Sequence, residues 1–129
     1  MGRHHFIVID DDSSSNLIAK LVISKFLEPL DLQLFSRAEN GLQYIQSSYT
    51  EEEKPTILLL DINMPYMSGW EFLSEFEKLE DNIQKQFDIY MLSSSIDEND
   101  KNRAHKNKNV SGYIVKPLIK EKIMTLFGK

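Results

Sequence analysis

Residues 57–65 read Ile-Leu-Leu-Leu-Asp-Ile-Asn-Met-Pro, and this stretch decides the fold. Ile57 to Leu60 is an unbroken apolar run with no polar alternation, which predicts a strand covered on both faces. It ends at Asp61. Met64-Pro65 then forces a turn, and Gly69 permits backbone angles that other residues resist. A strand covered on both faces needs an element packed on each side of its sheet, and the rest of the chain supplies them.

The same grammar repeats on either side. Upstream, Phe6 to Ile9 is a second short apolar run, and it stops at Asp10, Asp11 and Asp12. Ser13 to Ser15 offer helix caps, and Leu17, Ile18, Leu21, Val22, Phe26 and Leu27 follow at helical spacing until Pro29 closes the helix. Leu32 to Phe35 reads as a shorter strand, Glu39 to Ser48 as a short helix, and Ser47 to Pro55 as a polar surface loop. Downstream, Phe72, Leu73, Phe76 and Leu79 mark a third helix. Phe87 to Leu92 is a strand ending at Ser93, Ser94 and Ser95. Asp97 to Lys108 is a polar, asparagine-rich fourth helix, Gly112 to Val115 a strand ending at Lys116-Pro117, and Ile119 to Phe127 a last helix with Ile119, Ile123 and Leu126 on one face. Five strands alternating with five helices predict an α/β fold: a doubly wound parallel sheet with helices on both faces, spanning residues 1–129 as one domain with its core at about 5–127.

Composition narrows the function. The 129 residues are 41% apolar, as in an ordinary globular domain, and carry a net charge of −5 and no cysteine. No apolar run is long enough to cross a membrane or to serve as a signal peptide, so a cytoplasmic protein is expected. The acidic balance argues against a nucleic-acid binder. The one basic cluster, Lys101 to Lys108, reads as a solvated helix face.

Open doubly wound folds bind ligands outside the carboxyl ends of their strands. Those ends carry Asp10 and Asp11, Asp61, Ser93 and Lys116. Three carboxylates packed together repel one another, and a hard divalent cation relieves the repulsion. An all-oxygen ligand set points to Mg²⁺. A metal beside a carboxylate, with an ammonium and a hydroxyl opposite, suits phosphoryl transfer, with Asp61 the best nucleophile because it ends the central strand. Taken singly each feature is weak: acids after a strand commonly serve a helix N-terminus, and serines there are commonly caps. Their coincidence at four strand ends carries the argument.

These residues resemble the receiver domains of two-component response regulators. The resemblance runs from His5 to Phe127 and rests on Phe-Ile-Val-Ile-Asp-Asp at 6–11, Leu-Leu-Leu-Asp-Ile-Asn-Met-Pro at 58–65 with Gly69, Met-Leu-Ser-Ser at 91–94 and Gly-Tyr-Ile-Val-Lys-Pro at 112–117. It implies a flavodoxin-like strand order 2-1-3-4-5. It further implies Asp61 as phosphoacceptor and a Mg²⁺ ion held by Asp10, Asp11, Asp61 and the Asn63 backbone carbonyl. Ser93 would be the switch hydroxyl, Lys116 the phosphoryl contact, and Tyr113 the aromatic switch residue. Lys116–Pro117 stands where a cis bond is allowed. The implied partners are a histidine kinase or phosphotransfer protein upstream and a target protein downstream. Ser93 stands where threonine is commoner and Ser94 where alanine is commoner. Asn63 and Ser95 border the path of the water that would remove the phosphoryl group, and their small size implies moderate-to-fast autodephosphorylation.

Other readings are weaker. An aspartyl-nucleophile phosphatase needs an acid two residues past the nucleophile, and Asn63 cannot do that proton chemistry. A flavin or nucleotide binder lacks a glycine-rich loop after the first strand. A phosphorylation-independent adaptor keeping only the fold remains the alternative. Trp70, Phe72 and Phe76 read as core aromatics, Met64 and Met67 as packing around the site, and His4, His5 and His105 as surface residues.

Overall fold

A computed structural model describes residues 4–50 and 53–128. Five strands form one sheet: β1 (His5–Ile9), β2 (Asp31–Phe35), β3 (Thr56–Asp61), β4 (Phe87–Ser93) and β5 (Val110–Val115). All pair in parallel, in the order β2-β1-β3-β4-β5. The helices are α1 (Ser13–Phe26), α2 (Ala38–Ser48), α3 (Gly69–Phe76), α4 (Asp81–Gln84), α5 (Glu98–Lys106) and α6 (Lys120–Phe127).

Side chains alternate across each strand, and the alternation sorts the core into two layers. Ile7, Ile9, Leu58, Leu60, Ile89 and Met91 face Leu42 and Ile45 of α2, Phe72, Leu73 and Phe76 of α3, and Ala104 of α5. Phe6, Val8, Ile57, Leu59, Leu92 and Ile114 face Ala19 and Ile23 of α1 and Ile123 and Phe127 of α6. Every residue of β3 is buried, as the unbroken run Ile57–Leu60 requires. Each buried leucine there contributes roughly 1.5–3 kcal/mol by leaving water. The edge strand β2 is only partly covered, which suits its more polar sequence.

Several details differ from the sequence expectation. The third helix stops at Phe76, and a separate one-turn helix, α4, follows. The Gln84 amide holds the intervening turn by donating to the Glu77 and Leu79 carbonyls. Asp12, not a serine, caps α1, because its extended backbone lets the carboxylate accept from the Ser14 N–H. On α1 the buried residues are Ala19 and Ile23, whereas Leu17 and Leu21 are 56% and 59% exposed. That helix carries apolar side chains around most of its circumference, so periodicity could not choose the inward face. On α6 the pair Ile123 and Phe127, four residues apart, is buried, and Ile119 and Leu126 are exposed.

The loop read as polar hides Tyr49. Its ring packs on Phe87, and its hydroxyl pairs with Thr56 Oγ1 at 2.7 Å. Residues 51 and 52 of that loop lie outside the described residues. The polar α5 forms, with Ala104 as its one buried residue. Trp70 is half-buried under the Arg103 guanidinium, 4.5 Å from the ring centroid. Among the described residues no helix is long and apolar enough to cross a membrane.

Candidate phosphoryl and metal site

The order β2-β1-β3-β4-β5 places β2 at an edge and brings the ends of the other four strands together. Asp10 follows β1 and is 1% exposed. Asp61 ends β3 and is 4% exposed. One carboxylate oxygen each from Asp10, Asp11 and Asp61 lie within 4.8 Å of one another, and this is the acidic cluster with metal-ligand spacing found among the described residues. No histidine joins it, so the donor set is oxygen alone and fits a hard divalent cation.

Lys116 enters from the end of β5. Its Nζ donates to Asp10 Oδ2 at 3.0 Å and lies 3.7 Å from Asp61 Oδ1. The second Asp10 oxygen, Oδ1, accepts from the Asp12 N–H at 3.0 Å. Lys116 is itself aligned by its backbone N–H, which donates to the Ser93 carbonyl at 2.7 Å. The following bond, Lys116–Pro117, is cis.

The electrostatics follow from crowding. Burial, and then the charge of Asp10, push the Asp61 carboxyl up to about 7, while Lys116 pulls it down. Burial works against the Lys116 ammonium. The hydrogen bond and charge of Asp10, with the charges of Asp61 and Asp12, outweigh it and hold its pKa above the usual lysine value. Three acids and one cation leave the mouth short of positive charge, the imbalance a divalent cation corrects.

Ser93 is 2% exposed at the end of β4. Its hydroxyl donates to the Ser95 carbonyl at 2.6 Å. The Tyr113 hydroxyl donates to the same carbonyl at 3.0 Å. The two residues singled out as switch elements therefore share one acceptor, a link that sequence alone could not reveal. Asn63 is exposed in the β3–α3 loop. That loop is pinned by Gly69, whose N–H donates to the Ile62 carbonyl at 2.8 Å. Gly69 does not adopt a positive φ, contrary to the expectation from sequence; a Cβ there would sit 2.6 Å from the Asp61 carbonyl oxygen, so the close approach and not the backbone angle requires glycine. Ser68 and Glu71 close a capping box at the start of α3. Met64 and Met67 pack against the adjacent core. His4 and His5 are partly exposed and His105 exposed, all outside the acidic cluster.

Sequence reasoning missed Asn16. Its side-chain amide donates to the Asp10 carbonyl at 2.8 Å and to the Phe35 carbonyl at 3.4 Å. A lone polar residue among helical apolar ones gives no signal that it reaches back to two strand ends.

Three acids and a lysine thus meet at the carboxyl edge of a parallel sheet, with Ser93 at the end of the neighbouring strand, and the comparisons show to which family this arrangement belongs. The response regulator receiver domain family matches residues 6–127, and the chain belongs to it. Over 122 residues it is 30% identical to the sensor histidine kinase CheAY of Helicobacter pylori, an alignment covering 95% of this chain and 14% of that protein's length. It is 26% identical over 127 residues to the chemotaxis protein CheY of Halobacterium salinarum, covering 96% of this chain and 92% of that one. Among solved structures, a two-component response regulator from Cytophaga hutchinsonii superposes with a TM-score of 0.88 at 24% identity, covering 98% of this chain and 96% of the other, which shows the shared fold.

Proposed function

We propose that this receiver is a phosphorylation switch in which Asp61 accepts a phosphoryl group from a histidine kinase or phosphotransfer protein. The observation that carries the reading is the placement of Lys116 Nζ at 3.0 Å from Asp10 and 3.7 Å from Asp61, inside a cluster of three carboxylates. Asp10, Asp11 and Asp61, with the Asn63 carbonyl, would hold Mg²⁺. When bound, the ion supplies the positive charge that lets acids and phosphoryl oxygens share one mouth.

An Asp61 carboxylate oxygen attacks the phosphorus. The bond from phosphorus to the donor breaks as the new P–O bond forms, and its electrons leave with the donor. Lys116 is poised to neutralise a phosphoryl oxygen, and Asp10 orients it through their hydrogen bond. The Ser93 hydroxyl exchanges the Ser95 carbonyl for a phosphoryl oxygen. That exchange leaves the Ser95 carbonyl to Tyr113 alone and biases the face formed by α5, β5 and α6, to which a downstream protein binds. The chain acts as a switch; its only chemistry is its own phosphoryl transfer and the hydrolysis of the product.

Intact mass after incubation with acetyl phosphate, with and without Mg²⁺, tests the reading. One phosphoryl group gained only with Mg²⁺, and lost in Asp61→Asn, is the expected result. No gain under any metal would instead make the chain a phosphorylation-independent adaptor with the receiver fold.

A further inference from the structure

We propose that Asn16 is a positioning residue for the acid pair, an inference that rests on the metal reading of the site. The side chain of Asn16, in the first turn of α1, reaches back six residues and donates to the Asp10 carbonyl at 2.8 Å. The same amide nitrogen donates to the Phe35 carbonyl at 3.4 Å, so one side chain ties the helix to the ends of β1 and β2. The backbone N–H of Asn16 donates to the Asp12 carbonyl at 3.0 Å, which fixes where the side chain starts.

The Asp10 carbonyl belongs to the peptide that joins Asp10 to Asp11. Holding its oxygen fixes the plane of that peptide and thereby the direction in which the Asp11 side chain leaves the backbone. Asp10 itself is held elsewhere, by the Asp12 N–H on one carboxylate oxygen and Lys116 on the other. Asp11 is exposed, so packing does not aim it, and its approach to Asp10 and Asp61 depends on the backbone. The Oδ1 atom of Asn16 is buried and, among the described residues, has no partner. Outer-shell groups that orient metal ligands typically change affinity by tenfold or more when removed.

Two variants separate this role from mere folding. Asn16→Ala removes the donors. Asn16→Asp keeps the shape, removes the donors, and adds a negative charge beside the acid pair. Charge alone predicts that Asn16→Asp binds Mg²⁺ more tightly than the wild type; positioning predicts weaker binding. Calorimetric titration of the whole chain with Mg²⁺ should show both variants weakened by about tenfold. Far-UV circular dichroism without metal should stay native. With acetyl phosphate the half-saturating Mg²⁺ concentration should rise while the maximal rate returns at high Mg²⁺. Binding by Asn16→Asp as tight as wild type, or a rate loss that saturating Mg²⁺ does not restore, overturns the inference. Failure of the wild type itself to bind Mg²⁺ overturns the metal reading first, and this inference with it. The two failures are told apart by whether the wild type or only the difference between wild type and variants is null.

Discussion

Replacing Asp61 by asparagine should stabilise the metal-free protein at alkaline pH, even though it removes the proposed phosphoacceptor. The Asp61 carboxyl is 4% exposed and is pushed from 3.8 up to about 7 by burial and by the charge of Asp10. Between those two values the native state keeps a proton that the unfolded chain has released. The stabilising contribution is therefore whole below the unfolded value and is lost as pH rises through the folded one. At about 1.4 kcal/mol per unit, the ionised group costs about 4 kcal/mol above about pH 7 and about 2 kcal/mol near pH 5. The effective dielectric of even a buried site lies well above that of dry protein, so roughly half of this is kept, and Asp61→Asn should gain about 2 kcal/mol near pH 8.5 and about 1 kcal/mol or less near pH 5. For a chain of this length 2 kcal/mol is about 7 °C in melting temperature. Melts followed by far-UV circular dichroism in a chelator, at both pH values, measure it. Added Mg²⁺ should raise the wild-type melting temperature more than that of the variant. An Asp61→Asn protein that melts no higher than wild type at the alkaline pH, or by the same margin at both, would refute the claim that burial and Asp10 strain this carboxylate.

Lys116→Met leaves the buried Asp10 carboxylate without its ion-pair partner, and urea denaturation near neutral pH should show a loss of about 3 kcal/mol. Gly69→Ala drives a Cβ against the Asp61 carbonyl oxygen and the Ile62 backbone, which cannot yield, so the same assay should show a loss of about 2 kcal/mol. Asn63 and Ser95 are both exposed beside the site, and replacing both with methionine should slow loss of the phosphoryl group about tenfold by screening the attacking water. An unchanged decay rate in that double variant would remove these residues from the account of phosphoryl lifetime.

Much of this molecule is determined by local sequence. The unbroken apolar runs at Phe6–Ile9 and Ile57–Leu60 can be satisfied only by strands covered on both faces, and the acids, serine and lysine that follow the runs must then stand at the carboxyl edge. The parallel pairing agrees with the strand-helix alternation, because crossover helices between such strands permit few alternatives, whereas the strand order agrees with what the family resemblance implied. What tertiary structure alone decided is what depends on neighbours distant in the chain. The inward face of α1 was set by α6 and the sheet, and the small Ala19 with Ile23 won over the larger Leu17 and Leu21. Tyr49 is buried because Thr56 meets its hydroxyl and Phe87 its ring, 38 residues on. Asn16 reaches the ends of two strands, and Ser93 and Tyr113 meet at one carbonyl. Periodicity records which residues are apolar, whereas a hydrogen bond between remote groups leaves no pattern in the sequence, because it is made only when the packed core brings its two ends together.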